Sequence, residues 1–234
     1  MKRITTGILG MDTILKGGLP KASMTLVIGQ PGSGKSTLGI QFLYEGSGKK
    51  QPIILISTSP SVNALLNEIM MEYDWESEII SKIIYMDCHS WTVCIAKEKY
   101  SADLTRLTDV NIALNEIIED QSITPQHDTR LVIDSFSDFF LYNPSDLTLK
   151  FLKGLKSRLF EYQITSLILV QEGMHDDRIA SSIEAITDGT IRLKVDETGR
   201  YVMVSRMMAT PSKMRWIPVT IKRGIEFKAI EFFE

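Results

Sequence analysis

Between an apolar run, Met24–Ile28, and a stretch with helical spacing, Ser36–Tyr44, lies Gly29-Gln30-Pro31-Gly32-Ser33-Gly34-Lys35-Ser36-Thr37. This G-x-x-x-x-G-K-S spacing between a strand and a helix constrains the fold more than any other feature of the chain. Gly32 and Gly34 let the backbone curl so that successive N–H groups point inward at a phosphate. A helix beginning near Lys35 adds its dipole and its unpaired N–H groups. In such a loop Lys35 places a cation on the β- and γ-phosphates, the Ser36 hydroxyl ligates Mg²⁺, and Thr37 reaches the α-phosphate. A carboxylate is also needed to hold the metal through water. Leu131-Val132-Ile133-Asp134 offers one, three apolar residues and then Asp134 at the carboxyl end of a strand, where open α/β sheets bind ligands.

Further apolar runs of strand length recur at Ile53–Ile56, Ile83–Met86 and Leu167–Val170. Each is continuous rather than alternating, which suits strands buried on both faces of a parallel sheet. Helical spacing separates them, at Val62–Tyr73, at Val110–Ile118 with Thr108 as the expected N-cap, and at Leu147–Leu159. Strand and helix alternate, so the expected fold is α/β with helices on both faces of the sheet. The last third differs. Thr190–Lys194, a turn over Val195–Gly199 and Tyr201–Ser205 read as a hairpin, and Ile217–Ile221 and Ile225–Ile230 as further antiparallel strands. Pro218 assigns the first of these to an edge or a strand start. With no linker, repeat or low-complexity run, residues 1–234 read as one domain.

Composition excludes several classes. Hydrophobic residues at 44% and charged residues at 24% are globular values, not those of a disordered chain. Two cysteines, Cys88 and Cys94, cannot make a disulfide scaffold. A formal net charge of −3 argues against a surface that grips nucleic acid everywhere. No apolar run approaches the roughly 18 residues of a membrane span, and the opening residues have no apolar core like that of a signal peptide. A reducing cytoplasm is the expected setting.

The sequence resembles the KaiC/RadA branch of the RecA-type ATPases. Thr6-Gly7-Ile8-Leu9-Gly10-Met11-Asp12 and Gly17-Gly18-Leu19-Pro20 are similar to that branch's lead-in. The phosphate loop and Val132–Ser135 follow in register. Asp188-Gly189 before a strand and Gly224-Ile225 near the end are similar to its later segments. By length the single-domain archaeal KaiC-like proteins fit best, with the archaeal flagellar accessory (FlaH) type second. The resemblance implies a RecA-like core, ATP binding, and a homo-oligomer, often a hexameric ring with nucleotide at subunit interfaces.

Two departures bear on activity. The family usually carries a Glu-Glu pair just past the strand after the phosphate loop, held to activate water; here those places are Ser59 and Pro60. The family's Lys-x-Arg finger, which reaches a neighbouring subunit's γ-phosphate, is here Arg206-Met207-Met208, with Lys213 and Arg215 nearby. A positioned base is worth about 10²–10⁴-fold and an arginine finger about 10³–10⁵-fold. Binding residues are present and catalytic ones are not, so the expectation is an ATP-binding module that gates assembly or signalling with weak or absent hydrolysis. The alternative is an active ATPase whose base has moved to Glu172 or Asp138, with Gln171 sensing the γ-phosphate.

Other candidates carry less. Cys88-His89 with Cys94 fits no zinc spacing. His127 and His175 show no nucleophile–base pairing. The stretches where recombinases carry DNA-binding loops are Ser135–Pro144, with Phe136, Phe139, Phe140 and Tyr142 but no basic residue, and Glu172–Ile179, with Arg178 beside Asp176 and Asp177. Backbone binding needs a basic track as well as aromatics, so DNA is not the expected partner. The choice between ATP and GTP, and the identity of a protein partner, are not encoded in these motifs.

Overall fold

A computed structural model describes residues 1–59, 66, 71–76, 78, 81–90, 98–211 and 214–227. Pro60, Cys94 and Lys213, most of the helix expected over 62–73, and the end of the strand expected to reach Ile230 lie outside the described residues.

The continuous apolar runs are the parallel strands of one sheet. These are β3 (Met24–Gly29), β4 (Ile53–Ser57), β5 (Ile84–Asp87), β6 (Tyr100–Ser101), β7 (Arg130–Asp134) and β8 (Thr165–Gln171). Four antiparallel or mixed strands complete it: β9 (Gly189–Asp196), β10 (Gly199–Met207), β11 (Ile217–Ile221) and β12 (Ile225–Phe227). The order is β12-β11-β10-β9-β3-β8-β7-β4-β5-β6. Every pair from β9 to β6 is parallel, and β9 to β12 pair antiparallel. The turn between β9 and β10 is tighter than expected. Asp196 Oδ1 accepts from the Thr198 backbone N–H and hydroxyl, so the strand resumes at Gly199. Pro218 is the second residue of β11, which lies between β10 and β12, so the strand-start reading holds and the edge reading does not.

Burial on both faces follows the pleat. Leu26, Ile54, Leu131 and Ile168 pack beneath α3 (Leu107–Asp120) and α5 (Ser145–Glu161), in one cluster with Phe139 of the short α4 (Phe139–Tyr142). On the other face Val27, Leu55, Val132 and Leu169 pack against Leu38 and Phe42 of α2 (Lys35–Gly48). Helix α2 lies close to the sheet at Gly39, where a Cβ would stand 2.9 Å from Val132 Cγ1. Thr108 is not the cap of α3. Arg106 occupies that position without a side-chain capping bond, and the helix starts one residue before Thr108.

The lead-in motif is a local knot. A two-stranded sheet of β1 (Arg3–Ile4) and β2 (Leu19–Pro20) encloses α1 (Leu9–Ile14). Asp12 Oδ1 accepts from the Thr6 backbone N–H at 2.7 Å and its hydroxyl at 2.8 Å. Gln41 on α2 ties this knot to the far end of the chain, donating to Gly7 O and accepting from Ile225 N. Fully buried Arg130 donates to Thr5 O, Phe42 O and Gln51 Oε1.

Candidate nucleotide site

Strand β3 ends at Gly29, and α2 begins at Lys35. Between them the backbone turns through left-handed Gly32 (φ +73°) and Gly34 (φ +100°), the latter being the N-cap of α2. No side chain caps this end, so the first-turn N–H groups face out of the helix. At Gly29 a Cβ would come within 2.4 Å of Leu193 O. The loop is thus pressed against β9, and only glycine fits there.

Lys35 Nζ folds over this loop, donating to Gly29 O at 2.8 Å and Gln30 O at 2.9 Å. Burial pulls its pKa below the usual lysine value, against the pull of Asp134 and Glu172. The Ser36 hydroxyl lies beside the Asp134 carboxylate and favours its ionised form. Burial raises the Asp134 pKa, which Ser36 and Lys35 oppose and the nearby Asp138 carboxylate reinforces. Ser33 Oγ is buried without a hydrogen-bond partner among the described residues. An open cavity of about 360 Å³ lies over the loop, lined by Lys35, Ser36 and Thr37 together with Tyr73, Arg200 and Ile221.

Arg200 and Ile221 come from β10 and β11, and sequence reasoning missed both. Arg200 Nε donates to Gly32 O at 3.2 Å. Ile221 Cδ1 stands 3.0 Å from where a Gly34 Cβ would be. The signal that could have found Arg200 is strand parity, since it continues the face of buried Val202 and Val204, which is the face that carries α2.

The remaining candidates divide by position. Asp138 closes a short 3₁₀ turn (Phe136–Asp138) after β7 and accepts a hydrogen bond from Thr58 Oγ1. Thr58 follows the end of β4, its N–H donates to Asp134 O, and its hydroxyl accepts from Ser135 N at 3.0 Å. Glu172 follows β8, its N–H donates to Gly29 O, and its carboxylate lies 3.9 Å from Arg192. Gln171 donates its N–H to Ser137 Oγ at 2.9 Å. Lys35, Ser36, Asp134, Asp138, Gln171 and Glu172 therefore gather at the carboxyl ends of β3, β7 and β8.

Arg206 lies elsewhere. The expected hairpin strand runs on to Met207, so Arg206 is within it, paired opposite Thr190 near the amino ends of the parallel strands. Its guanidinium donates to Glu184 O and Thr187 O at the end of α6 (Asp177–Ile186). Buried Cys88 has its thiol pKa pushed up by burial, and Asp87 beside it is occupied by the His89 and Ser90 N–H groups. His127 Nδ1 accepts from Thr124 N. Phe136 and Phe139 are fully buried and stacked on each other, Phe139 packs on Phe151, and Phe140 packs on His175. Phe136 and Phe139 are core, Phe140 is half-buried against it, and Tyr142 is exposed.

A parallel sheet with a phosphate-type loop after its central strand, helices on both faces and an antiparallel extension defines a RecA-like P-loop protein. The chain belongs to the KaiC ATPase family, whose model matches residues 4–230. This family implies nucleotide binding. The chain is 28% identical to a UPF0273 protein of Aeropyrum pernix, over 94% of this chain and 90% of that one. A UPF0273 protein of Methanocaldococcus jannaschii is 29% identical, over 94% and 93%. The crystal structure of a KaiC-like protein from Pyrococcus horikoshii superposes with a TM-score of 0.78, covering 97% of this chain and 99% of that one at 24% identity. That likeness concerns the fold. Among the described residues no helix is long and apolar enough to cross a membrane.

Proposed function

We propose that this chain binds Mg-ATP at the β3–α2 loop and acts as a nucleotide-gated assembly or signalling module that hydrolyses its ligand slowly. The carrying observation is the left-handed turn at Gly32 and Gly34 into the uncapped start of α2, with Lys35 folded over it and Ser36 beside Asp134. A hydroxyl and a carboxylate are the hard oxygen donors that Mg²⁺ takes with retained waters. The loop N–H groups and Lys35 would hold the phosphates. Ser36 would ligate the metal, which neutralises phosphate charge when bound, and Asp134 would hold it through water.

Slow turnover is supported by what surrounds this cradle. Strand β4 leads into Thr58 and Ser59, with no carboxylate on either. Arg206 is engaged with carbonyls of its own chain, and Met208 carries no charge. Occupancy alone can gate an assembly, since ligand at a hundredfold excess over Kd stabilises the bound form by about 2.7 kcal/mol. In this reading residues 1–234 work as one domain in the cytoplasm, in a homo-oligomer such as a hexameric ring. An unidentified protein partner reads its state.

The test is titration with a fluorescent ATP analogue and Mg²⁺, with light scattering for assembly and Lys35→Ala as the blank. The expected result is binding by the wild type, a nucleotide-dependent change in mass, and a loss of about 100-fold in affinity in Lys35→Ala, the scale of a hydrogen-bonded charge. Binding without any change in assembly would remove the gating role. A second reading, a working ATPase, is favoured by one observation: the Thr58–Asp138 hydrogen bond sets a carboxylate against the end of β4.

A further inference from the structure

We infer that Asp138 is the general base for the turnover this site carries, and that Thr58 is its positioning residue. The inference rests on the Mg-ATP reading above. Three carboxylates stand at or just past the carboxyl ends of β7 and β8, two of them, Asp134 and Glu172, within electrostatic reach of Lys35, and their partners separate their roles. Asp134 lies beside Ser36, which commits it to the metal position. Glu172 faces Arg192, a cation that also pairs with Glu184. Asp138 is held by a neutral hydroxyl alone among the described residues, so one carboxylate oxygen remains for water.

The hydroxyl is fixed in direction. A threonine oxygen has one proton to give. Because Thr58 Oγ1 accepts the Ser135 N–H at 3.0 Å, its own proton goes to Asp138 Oδ2. Thr58 is buried, and its own N–H is bound to Asp134 O at 3.0 Å, so the relay is anchored to the metal-side strand at two points. Asp134 ends β7 and Asp138 closes the turn that follows it, so both carboxylates belong to one strand end. In the step itself a water oxygen bonds to the γ-phosphorus as its bond to the ADP oxygen breaks. The water proton passes to Asp138, and ADP and inorganic phosphate leave.

The experiment measures steady-state phosphate release from Mg-ATP by the full chain, with fluorescent-analogue binding in parallel. Asp138→Asn keeps an oxygen that can accept from Thr58, so the turn retains its hydrogen bond. It is expected to lower kcat by about 100-fold or more with analogue affinity unchanged. Thr58→Val is expected to lower kcat by about tenfold, the scale of one hydrogen bond to a charged group, with KM unchanged. Thr58→Ser restores the hydroxyl and is expected to restore kcat, which a merely structural role for the side chain would not require. Wild-type kcat in Asp138→Asn, equal losses in Thr58→Val and Thr58→Ser, or loss in Glu172→Gln instead of Asp138→Asn would each overturn the assignment. So would wild-type release no faster than that of Lys35→Ala in a protein that still binds the analogue. Failure of the wild type to bind the analogue at all would sink the Mg-ATP reading itself.

Discussion

The parallel block and the antiparallel block of this sheet use their residues in opposite ways. In β3, β4 and β8 the strand interiors are buried on both faces, and nothing chemical is carried there. The chemistry sits just past the strand ends, at Lys35, Ser36, Thr58, Asp138 and Glu172, with Asp134 as the last residue of β7. In β9 and β10 alternate residues reach solvent, so Arg192 and Lys194 lie along the strands themselves, with Arg200 at the end of the covered face and Arg206 past the bulge. A parallel strand buried twice has no free face for a functional side chain, whereas an antiparallel one open on a side does. One block is therefore read at its ends and the other by its parity.

The largest expected contrast is in stability. Leu169→Ala in β8 removes a side chain buried on the α2 face and should cost about 2–5 kcal/mol. Tyr201→Ala in β10 loses a contact with Lys194 and a hydroxyl bond to Thr198, and should cost under about 1 kcal/mol. Urea unfolding of both variants checks this, and equal losses would erase the contrast.

A second test bears on the strand ends. Burial raises the Asp134 pKa in the folded protein, so its ionisation costs stability as pH rises through that value. Asp134→Asn should therefore melt above the wild type at neutral pH, and the gap should close on acidification as Asp134 takes up its proton. The same variant should lose about tenfold in Mg²⁺-dependent analogue affinity, the scale of one charged contact. A variant that lost both stability and affinity would make Asp134 a structural residue.

The smallest effect probes one of the places where the blocks meet over the loop. Arg200→Ala should weaken analogue binding by about fivefold, because Arg200 lines the cavity and holds Gly32 O through a single exposed hydrogen bond. Thermal stability should stay near that of the wild type. An unchanged affinity would confine the nucleotide contacts to the parallel block.

Much of the parallel block was legible in the residues because its signals are local. Continuous Val/Ile/Leu runs specify doubly buried strands, Gly32 and Gly34 specify left-handed backbone, and an apolar run ending in Asp134 specifies a strand end. The lead-in motif was visible as a pattern, but its Thr6–Asp12 knot was not, since a pattern does not say which atoms bond. Thr108 misled because threonine is a good cap in isolation, and packing started α3 one residue before it.

The antiparallel block resisted because its outcome depends on register. A bulge between Val204 and Arg206 shifts the strand by one residue. Without it, Arg206 would share the face of Arg200, Val202 and Val204. With it, Met207 returns to that core face and Arg206 turns to the carbonyls at the end of α6. The sequence by itself determined the α/β class, the phosphate-type loop and the strand carrying Asp134, since each rests on residues adjacent along the chain. Only the tertiary structure decided that Thr58 holds Asp138, that Arg200 reaches Gly32 and that Arg206 faces away. Each of those contacts joins strands or loops brought together by sheet order and register, which depend on how the whole core packs.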